Sequence, residues 1–260
     1  MFTSNPFAEL SASISPAVMQ TYVVIMILLV VGGTVFDILH KKSATYFFAN
    51  WRKAQSKGSK QVGSGEIVSL AVQTAIVEVA TSGEFCNARR RLAHLLTMYG
   101  FIVYVVATVA MVFCYQTTAE TPAIWPTLWT LGALAVCGGG YWFWFFIRVD
   151  VAAEGNSPFR IIRADVFILS LLASTTLGLI WAFLQATGAG GSTAFLWLYV
   201  LATTFLFGSV PWSKFSHMFF KPAAALQKRV ENANGSRSNL PPPVDKPETL
   251  GSATTLPRHY

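Results

Sequence analysis

The sequence has 260 residues, of which 53% are hydrophobic, 14% aromatic and only 12% charged. Soluble domains carry about 25% charged residues, so this composition excludes an ordinary soluble domain and favours a membrane protein. The formal net charge is +7. The three cysteines form no CxxC pair, which argues against a disulfide framework and against a thiolate zinc or iron–sulfur site.

Five apolar segments are long enough to cross a bilayer, whose hydrocarbon core of about 30 Å needs roughly 20 helical residues. The predicted spans cover residues 21–39, 94–115, 125–147, 166–186 and 193–212. We therefore predict an all-α integral membrane protein, in which residues 21–222 form a five-transmembrane-helix bundle. Residues 1–20 are predicted to be an external N-terminal segment.

Positive charge is distributed unevenly along the chain. All 19 Lys and Arg residues lie within residues 41–91, 148–163 and 214–258, and none lies within residues 1–20, 116–124 or 185–192. By the positive-inside rule the basic segments are cytoplasmic, which predicts an external N-terminus and a cytoplasmic C-terminus. The predicted location is the inner (cytoplasmic) membrane of a prokaryote, which the chain crosses several times.

Two segments outside the spans have recognisable patterns. Residues 66–79 repeat apolar residues at helical spacing and predict an amphipathic cytoplasmic helix. This helix could lie on the membrane surface, pack on a partner or cover the base of the bundle. Residues 223–260 begin with enough helix-forming residues for a turn or two. They continue as a proline-, glycine- and serine-rich stretch, which predicts a flexible cytoplasmic tail.

The third predicted span contains three consecutive glycines, Gly138, Gly139 and Gly140. Glycines at this position weaken a helix locally, but they permit the close approach of a neighbouring helix or of a flat ligand. Close helix packing is the favoured interpretation.

Two histidines are candidates for cofactor binding. His94 and His217 are both embedded in apolar sequence, at the cytoplasmic ends of the second and fifth spans. These spans run in opposite directions, so the two histidines are predicted at one membrane level. Two facing histidines on neighbouring helices are the geometry of bis-histidine haem b ligation. The alternative is that each imidazole simply reaches the water interface.

Charged residues near these histidines have candidate roles too. A haem there has two acidic propionates, and the basic residues available to neutralise them are Arg89, Arg90, Arg91, Lys214 and Lys221. The alternative is that these cations only mark the inner membrane face. Asp37 and His40 share one face of the first span, where the carboxylate could orient a histidine or serve proton uptake for a quinone. It could equally reach the interface as an ordinary polar side chain.

The segment RRRLAHLLTMYGF and the ending PWSKFSHMFFKP resemble the membrane cytochrome subunits of the nitrate reductase gamma and heterodisulfide reductase E type. Within that group, TSGEFCNARRRLAHLLTMYGF and YWFWFFIRVDVAAEGNSPFRIIRAD most resemble the membrane anchor associated with dissimilatory adenylylsulfate reductase. The resemblance covers about residues 20–230.

The resemblance also limits the number of cofactors. Two-haem members of this group carry a second histidine on each of spans two and five, and the matching positions here are Tyr104 and Tyr199. The resemblance therefore implies at most one haem b, on the cytoplasmic side. The tyrosines could line a quinone cavity, donate hydrogen bonds there or simply pack.

By resemblance, the chain is a membrane anchor and non-catalytic electron-transfer subunit. It would link a cytoplasmic flavin and iron–sulfur reductase, similar to adenylylsulfate reductase, to the quinone pool. The implied partners are membrane lipid, this reductase complex and quinone, with no nucleic acid. Two alternatives remain open: a haem-free anchor or quinone-site subunit, and a small transporter. The spans hold almost no buried charge and show no inverted repeat, which argues against transport.

Overall fold

The computed structural model describes residues 3–83, 85, 87–215, 217–236 and 240, and all regular structure in these residues is helical. The all-α prediction is therefore confirmed for this part of the chain. The described residues fall into two compact units. The first unit lies within Met1–Asp37 and Ala88–Ser216, and the second lies within Ile38–Asn87 and His217–Tyr260.

In chain order the helices are α1 (Pro6–Leu10), α2 (Pro16–His40), α3 (Ser43–Lys57), α4 (Ser64–Thr74), α5 (Ala88–Phe113), α6 (Ile124–Trp142), α7 (Val149–Ala152), α8 (Val166–Thr187), α9 (Ser192–Gly208) and α10 (His217–Ala233). Two π-helical turns extend α4 over Ala75–Ala80 and α6 over Phe143–Ile147. A 3-10 turn, Arg163–Asp165, leads into α8. Helices α3, α4 and α10 make up the second unit.

Four helices, α2, α5, α6 and α8, are long and apolar enough to cross a membrane. Four of the five predicted spans are thus confirmed as candidate membrane-spanning helices, and the chain is compatible with a multi-pass membrane protein. The fifth predicted span corresponds to α9, an apolar helix of 17 residues, about 26 Å long at 1.5 Å per residue. Helix α9 ends at Gly208 and not at residue 212, because Pro211 lacks an N–H and disfavours helical backbone just before it.

Helices α5 and α6 cross with their backbones in contact, because both sides of the crossing carry glycine. A Cβ atom added at Gly100 would lie 2.8 Å from the carbonyl oxygen of Gly132, and one added at Gly132 would lie 2.8 Å from that of Gly100. The contact continues at Gly139, where a Cβ atom would lie 2.6 Å from the carbonyl oxygen of Ala93. Small residues thus allow this close approach, as they do in other membrane bundles.

Helix packing, predicted for the glycine triplet of α6, is found at two of its three members. Gly139 faces α5, and a Cβ atom at Gly140 would lie 2.7 Å from the Leu172 side chain on α8. Gly138 differs from its neighbours, since a Cβ atom there would meet nothing within 4 Å. Two of the three glycines therefore hold α6 between its neighbours.

Helix α2 is the least buried candidate span. Only 11% of its apolar window is buried, against 44% in the α8 span. It is attached to α9 by the Tyr22 hydroxyl, which donates to the Val200 carbonyl oxygen at 3.0 Å. Further along, a Cβ atom at Gly33 would lie 2.9 Å from the Cβ of Val210, so α2 also comes close to the turn that follows α9.

Helix α1 and the residue before it close one end of the first unit. Asn5 is fully buried and caps α1, its side-chain oxygen accepting from the N–H groups of Phe7 and Ala8. The ring of Phe7 lies edge-on to Trp129 at 6.0 Å and beside Trp181 at 5.5 Å. We call this end the α1 end. The opposite end, which carries Arg148 and the start of α5, is called the arginine end.

The second unit is a three-helix unit that the sequence did not predict. In this unit α10 packs against α3 and α4. The side-chain amide of buried Asn234 donates to the Ala54 carbonyl oxygen at 3.2 Å, and the Asn234 backbone carbonyl oxygen accepts the Ser59 N–H at 2.9 Å. Arg229 of α10 and Glu78 form an ion pair of 2.8 Å.

This unit changes the predicted boundary of the C-terminal tail. The tail was expected to begin at residue 223 with a helical turn or two, but α10 is a 17-residue helix. Its apolar side is buried against its neighbours, with Val230 almost fully enclosed. The predicted tail beyond residue 236 lies outside the described residues, apart from residue 240.

Candidate functional site

The two tyrosines predicted to replace outer haem ligands lie against each other inside the first unit. Tyr104 of α5 donates its hydroxyl to that of Tyr199 of α9 at 2.8 Å. Both side chains are buried, and each packs on an indole. The Tyr104 ring lies 5.1 Å from Trp129, and the Tyr199 ring stacks on Trp181 at 5.6 Å.

A glycine on α8 leaves room for this pair. A Cβ atom at Gly178 would lie 3.2 Å from the Tyr104 hydroxyl and 3.1 Å from the Tyr199 ring. The spacing comparison with two-haem proteins thus identified two residues that do face each other. The structure shows the two tyrosines packed on each other and on the indole rings of Trp129 and Trp181.

We expect the tyrosine pair to contribute to stability as a coupled unit. Tyr199→Phe leaves the buried Tyr104 hydroxyl without its acceptor and should destabilise the protein by about 1 kcal/mol, and Tyr104→Phe should cost a similar amount. The double variant Tyr104→Phe/Tyr199→Phe should cost less than the sum of the two single changes, because both single changes break the same hydrogen bond. Unfolding in detergent with increasing SDS measures all three. Additive costs would show that the hydroxyls are not coupled.

The arginine end of the first unit has its own aromatic core. Phe215, in the turn after α9, lies 5.4 Å from Phe167, 5.9 Å from Phe207 and 6.5 Å from Phe101. Asp37 lies four residues after Gly33 on α2, hence on the same helix face, and is buried. Of the two predicted proton-transfer candidates on this helix, Asp37 therefore faces inward, whereas His40 is exposed.

An open groove runs along α9 towards the arginine end. Its volume is about 310 Å³, within the usual range for small-molecule sites. Its lining is mainly apolar, with two hydroxyl groups: Leu201, Thr204, Phe205, Gly208, Ser209 and Trp212. The sequence offered no signal for this groove, in which the space next to Gly208 is open.

The two predicted haem ligands lie in different units. His94 is half-buried on α5 in the first unit, and His217 is half-buried at the start of α10 in the second unit. His217 does not continue α9, since the chain turns after Gly208 before α10 begins. Ligation of a haem b by this pair therefore stays a prediction that rests on the residue types.

The predicted propionate partners are also divided between the units. Arg89, Arg90 and Arg91 form the first turn of α5, where the Arg90 guanidinium lies 6.0 Å from the Phe143 ring. Lys214 is exposed in the turn after α9. Lys221 belongs to the second unit, with its ammonium 5.4 Å from the Phe85 ring.

Sequence reasoning missed a buried ion pair at the arginine end. Arg148, which was counted only as a loop charge, is buried and donates to the Asp165 carboxylate, which is buried too. Its guanidinium also lies 3.9 Å above the Trp144 ring. A lone aspartate next to the start of an apolar span was the available signal, because such a group requires a partner.

The amphipathic helix has two apolar faces. Its buried face packs on α10, and its outer face presents a stripe at helical spacing. In this stripe Val68 is 62% exposed, Val72 53% and Ile76 56%. We call Val68, Val72, Ile76 and Val79 the α4 stripe. Its surroundings are basic, since the described part of the second unit contains nine Lys and Arg residues and three Glu residues.

No protein-family model, curated protein or solved structure matches this chain.

Proposed function

We propose that this chain is a membrane subunit that anchors a soluble flavin and iron–sulfur reductase at the cytoplasmic face and connects it to the quinone pool. The proposed topology has five spans, with α9 as the fifth, an external α1 end and a cytoplasmic arginine end. A 17-residue apolar helix is at the lower limit for crossing a bilayer. The segregation of basic residues to one set of loops supports this orientation.

The α4 stripe is the observation that carries the anchoring function. It is a row of exposed valine and isoleucine side chains on a helix whose other face is already packed. The excess of basic residues in the same unit suits an acidic protein surface, which would be attracted before the apolar contact forms. A reductase docked there would rest beside the membrane in which quinone is dissolved.

The α4 stripe can be tested with two adjacent exposed positions. Val72→Glu places a charge in the stripe, whereas Gln73→Glu places the same charge beside it, and neither side chain is buried. We expect full-length protein isolated from its native membranes to carry flavin and non-haem iron. Val72→Glu should lower both at least tenfold, the effect of about 1.4 kcal/mol, and Gln73→Glu should keep them. Equal flavin and iron contents in the two variants would contradict docking on the stripe.

We assign the α9 groove as the quinone site of this proposal. Its aromatic and aliphatic walls suit an apolar ring and tail, and Thr204 and Ser209 belong to its lining. Gly208→Leu would fill the groove without a steric clash, since a Cβ atom there meets nothing within 4 Å.

We expect Gly208→Leu to lower quinone reduction by the complex at least tenfold while leaving reductase binding unchanged. Gly138→Leu is the control, because it adds the same side chain at another glycine with open space around its Cβ position. Quinone reduction followed by absorbance measures both variants. Wild-type rates in Gly208→Leu would exclude the groove as the quinone site.

Whether the subunit carries a haem b needs a separate test. His94 and His217 would hold it, and when bound it would supply one-electron transfer between reductase and quinone. A reduced-minus-oxidised spectrum of the purified protein separates a haem-containing subunit from a haem-free anchor. The haem form predicts a b-type signal that is lost in His94→Ala and His217→Ala. A haem-free anchor predicts no b-type signal.

A further inference from the structure

The loop between α7 and α8 exposes large apolar side chains at the arginine end of the first unit. Phe159 is 79% exposed and Ile161 is 64% exposed. Two exposed arginines lie in the same loop, Arg160 and Arg163. We call residues 158–163 the Phe159 loop. Ile162 is 41% exposed as well, and neighbouring exposed apolar side chains of this kind mark interaction surfaces.

A buried cation holds the Phe159 loop in this conformation. One guanidinium nitrogen of Arg148 donates to the carbonyl oxygens of Pro158 at 3.0 Å and Arg160 at 2.9 Å. The other donates to the Asp165 carboxylate, which also accepts the Ile162 N–H at 3.0 Å. The exposed side chains therefore stand on a fixed backbone, and little conformational entropy remains to be lost on binding.

The loop continues an aromatic strip on the outside of a candidate span. The Phe159 ring lies 6.4 Å from Phe145, and Phe145 stacks on Tyr141 at 6.2 Å. Phe146, beside Phe145 in the same turn, is exposed as well. Aromatic side chains of this kind mark the interface between hydrocarbon and head groups, so the strip leads from α6 directly to the Phe159 loop.

We propose that the Phe159 loop is a binding site for anionic phospholipid head groups. Phe159 and Ile161 enter the boundary between head groups and acyl chains, and Arg160 and Arg163 bind lipid phosphates. Arg160 lies 3.9 Å from Glu154, a long contact between two exposed groups. Lipid is favoured over a soluble protein because the strip is continuous with the apolar outside of a candidate span.

This site rests on membrane insertion of α6 and α8, but on neither the reductase nor the quinone of the proposed function. Its test is the thermal stability of the full-length protein in neutral detergent, titrated with phosphatidylglycerol or phosphatidylcholine. We expect phosphatidylglycerol to raise the unfolding temperature more than phosphatidylcholine. Arg160→Gln/Arg163→Gln should weaken the apparent phosphatidylglycerol affinity by about fivefold for each arginine removed.

Lys53→Gln/Lys57→Gln is the matched control, because it removes the same charge from exposed positions of α3. It should keep the full response to phosphatidylglycerol. A second variant, Phe159→Ser/Ile161→Ser, tests the apolar part and should also weaken the response. The proposal is overturned if both lipids stabilise the wild type equally, or if Arg160→Gln/Arg163→Gln keeps its response. If that variant keeps its lipid response but loses bound flavin and iron, the loop binds the reductase and not lipid.

Discussion

Gly132→Ala should destabilise the protein by about 1–3 kcal/mol, although it adds a single methyl group. The new Cβ would lie 2.8 Å from the Gly100 carbonyl oxygen and 2.8 Å from the Tyr104 backbone nitrogen. Both neighbours are backbone atoms that no side-chain rotation can move away. The α5–α6 crossing must therefore widen, which also loosens the tyrosine pair beside it.

Gly138→Ala is the control for this prediction, since it makes the same change on the same helix. A Cβ atom at Gly138 meets nothing within 4 Å, so alanine should stabilise α6 by up to about 1 kcal/mol through helix propensity. The two variants should thus shift the unfolding transition in opposite directions. A Gly132→Ala protein as stable as the wild type would mean that α5 and α6 do not cross at this distance.

Arg148→Met should cost about 3–5 kcal/mol, because it leaves the buried Asp165 carboxylate without its cation. It also removes the two hydrogen bonds that hold the Phe159 loop. The free energy of unfolding in detergent with increasing SDS is the measurement. Arg148→Met/Asp165→Leu should recover part of the loss, because the uncompensated charge is then gone.

An exposed ion pair provides the comparison for Arg148. Lys60 and Glu66 lie 3.3 Å apart in the second unit with much of both side chains exposed to solvent. Lys60→Met should therefore change the stability by no more than about 0.5 kcal/mol. If Lys60→Met and Arg148→Met cost the same, burial of the Arg148–Asp165 pair has no energetic consequence and the account of the loop is wrong.

Hydrophobic runs predicted most of the helices of the first unit, since a membrane span needs a long apolar segment and little else. The residue types alone also explain why Gly139 and Gly140 lie at helix contacts. The rotation of each helix about its own axis could not be predicted, because nearly every face of such a span is apolar. The pairing of Tyr104 with Tyr199 could be suggested only through the spacing of a similar family.

The second unit was harder to predict for a physical reason. Helix α3 is polar overall and contains Arg52, Lys53 and Lys57, so it looked like part of a polar loop. Its partner α10 lies about 160 residues further along the chain. The buried contact between Asn234 and the Ala54 carbonyl joins segments that neither local propensity nor composition could connect.

The candidate site divides in the same way. Candidate histidine, arginine and tyrosine residues could be selected from the sequence, because polar side chains stand out within apolar segments. The groove at Gly208 and the exposed α4 stripe could not be predicted, because each is a place where no neighbouring atoms pack. Those depend on where a helix ends and which of its faces is already covered.

The most direct measurement for the proposed function is quinone reduction by the intact complex. The full-length chain would be isolated with its bound reductase and reconstituted in quinone-containing liposomes. Sulfite and AMP would be the electron source, because an adenylylsulfate reductase of the proposed kind would oxidise them together. We predict quinone reduction that falls to background when Gly208→Leu fills the groove or when the reductase is supplied without this chain. Equal quinone reduction with and without the chain would contradict the claim that it connects a reductase to the quinone pool.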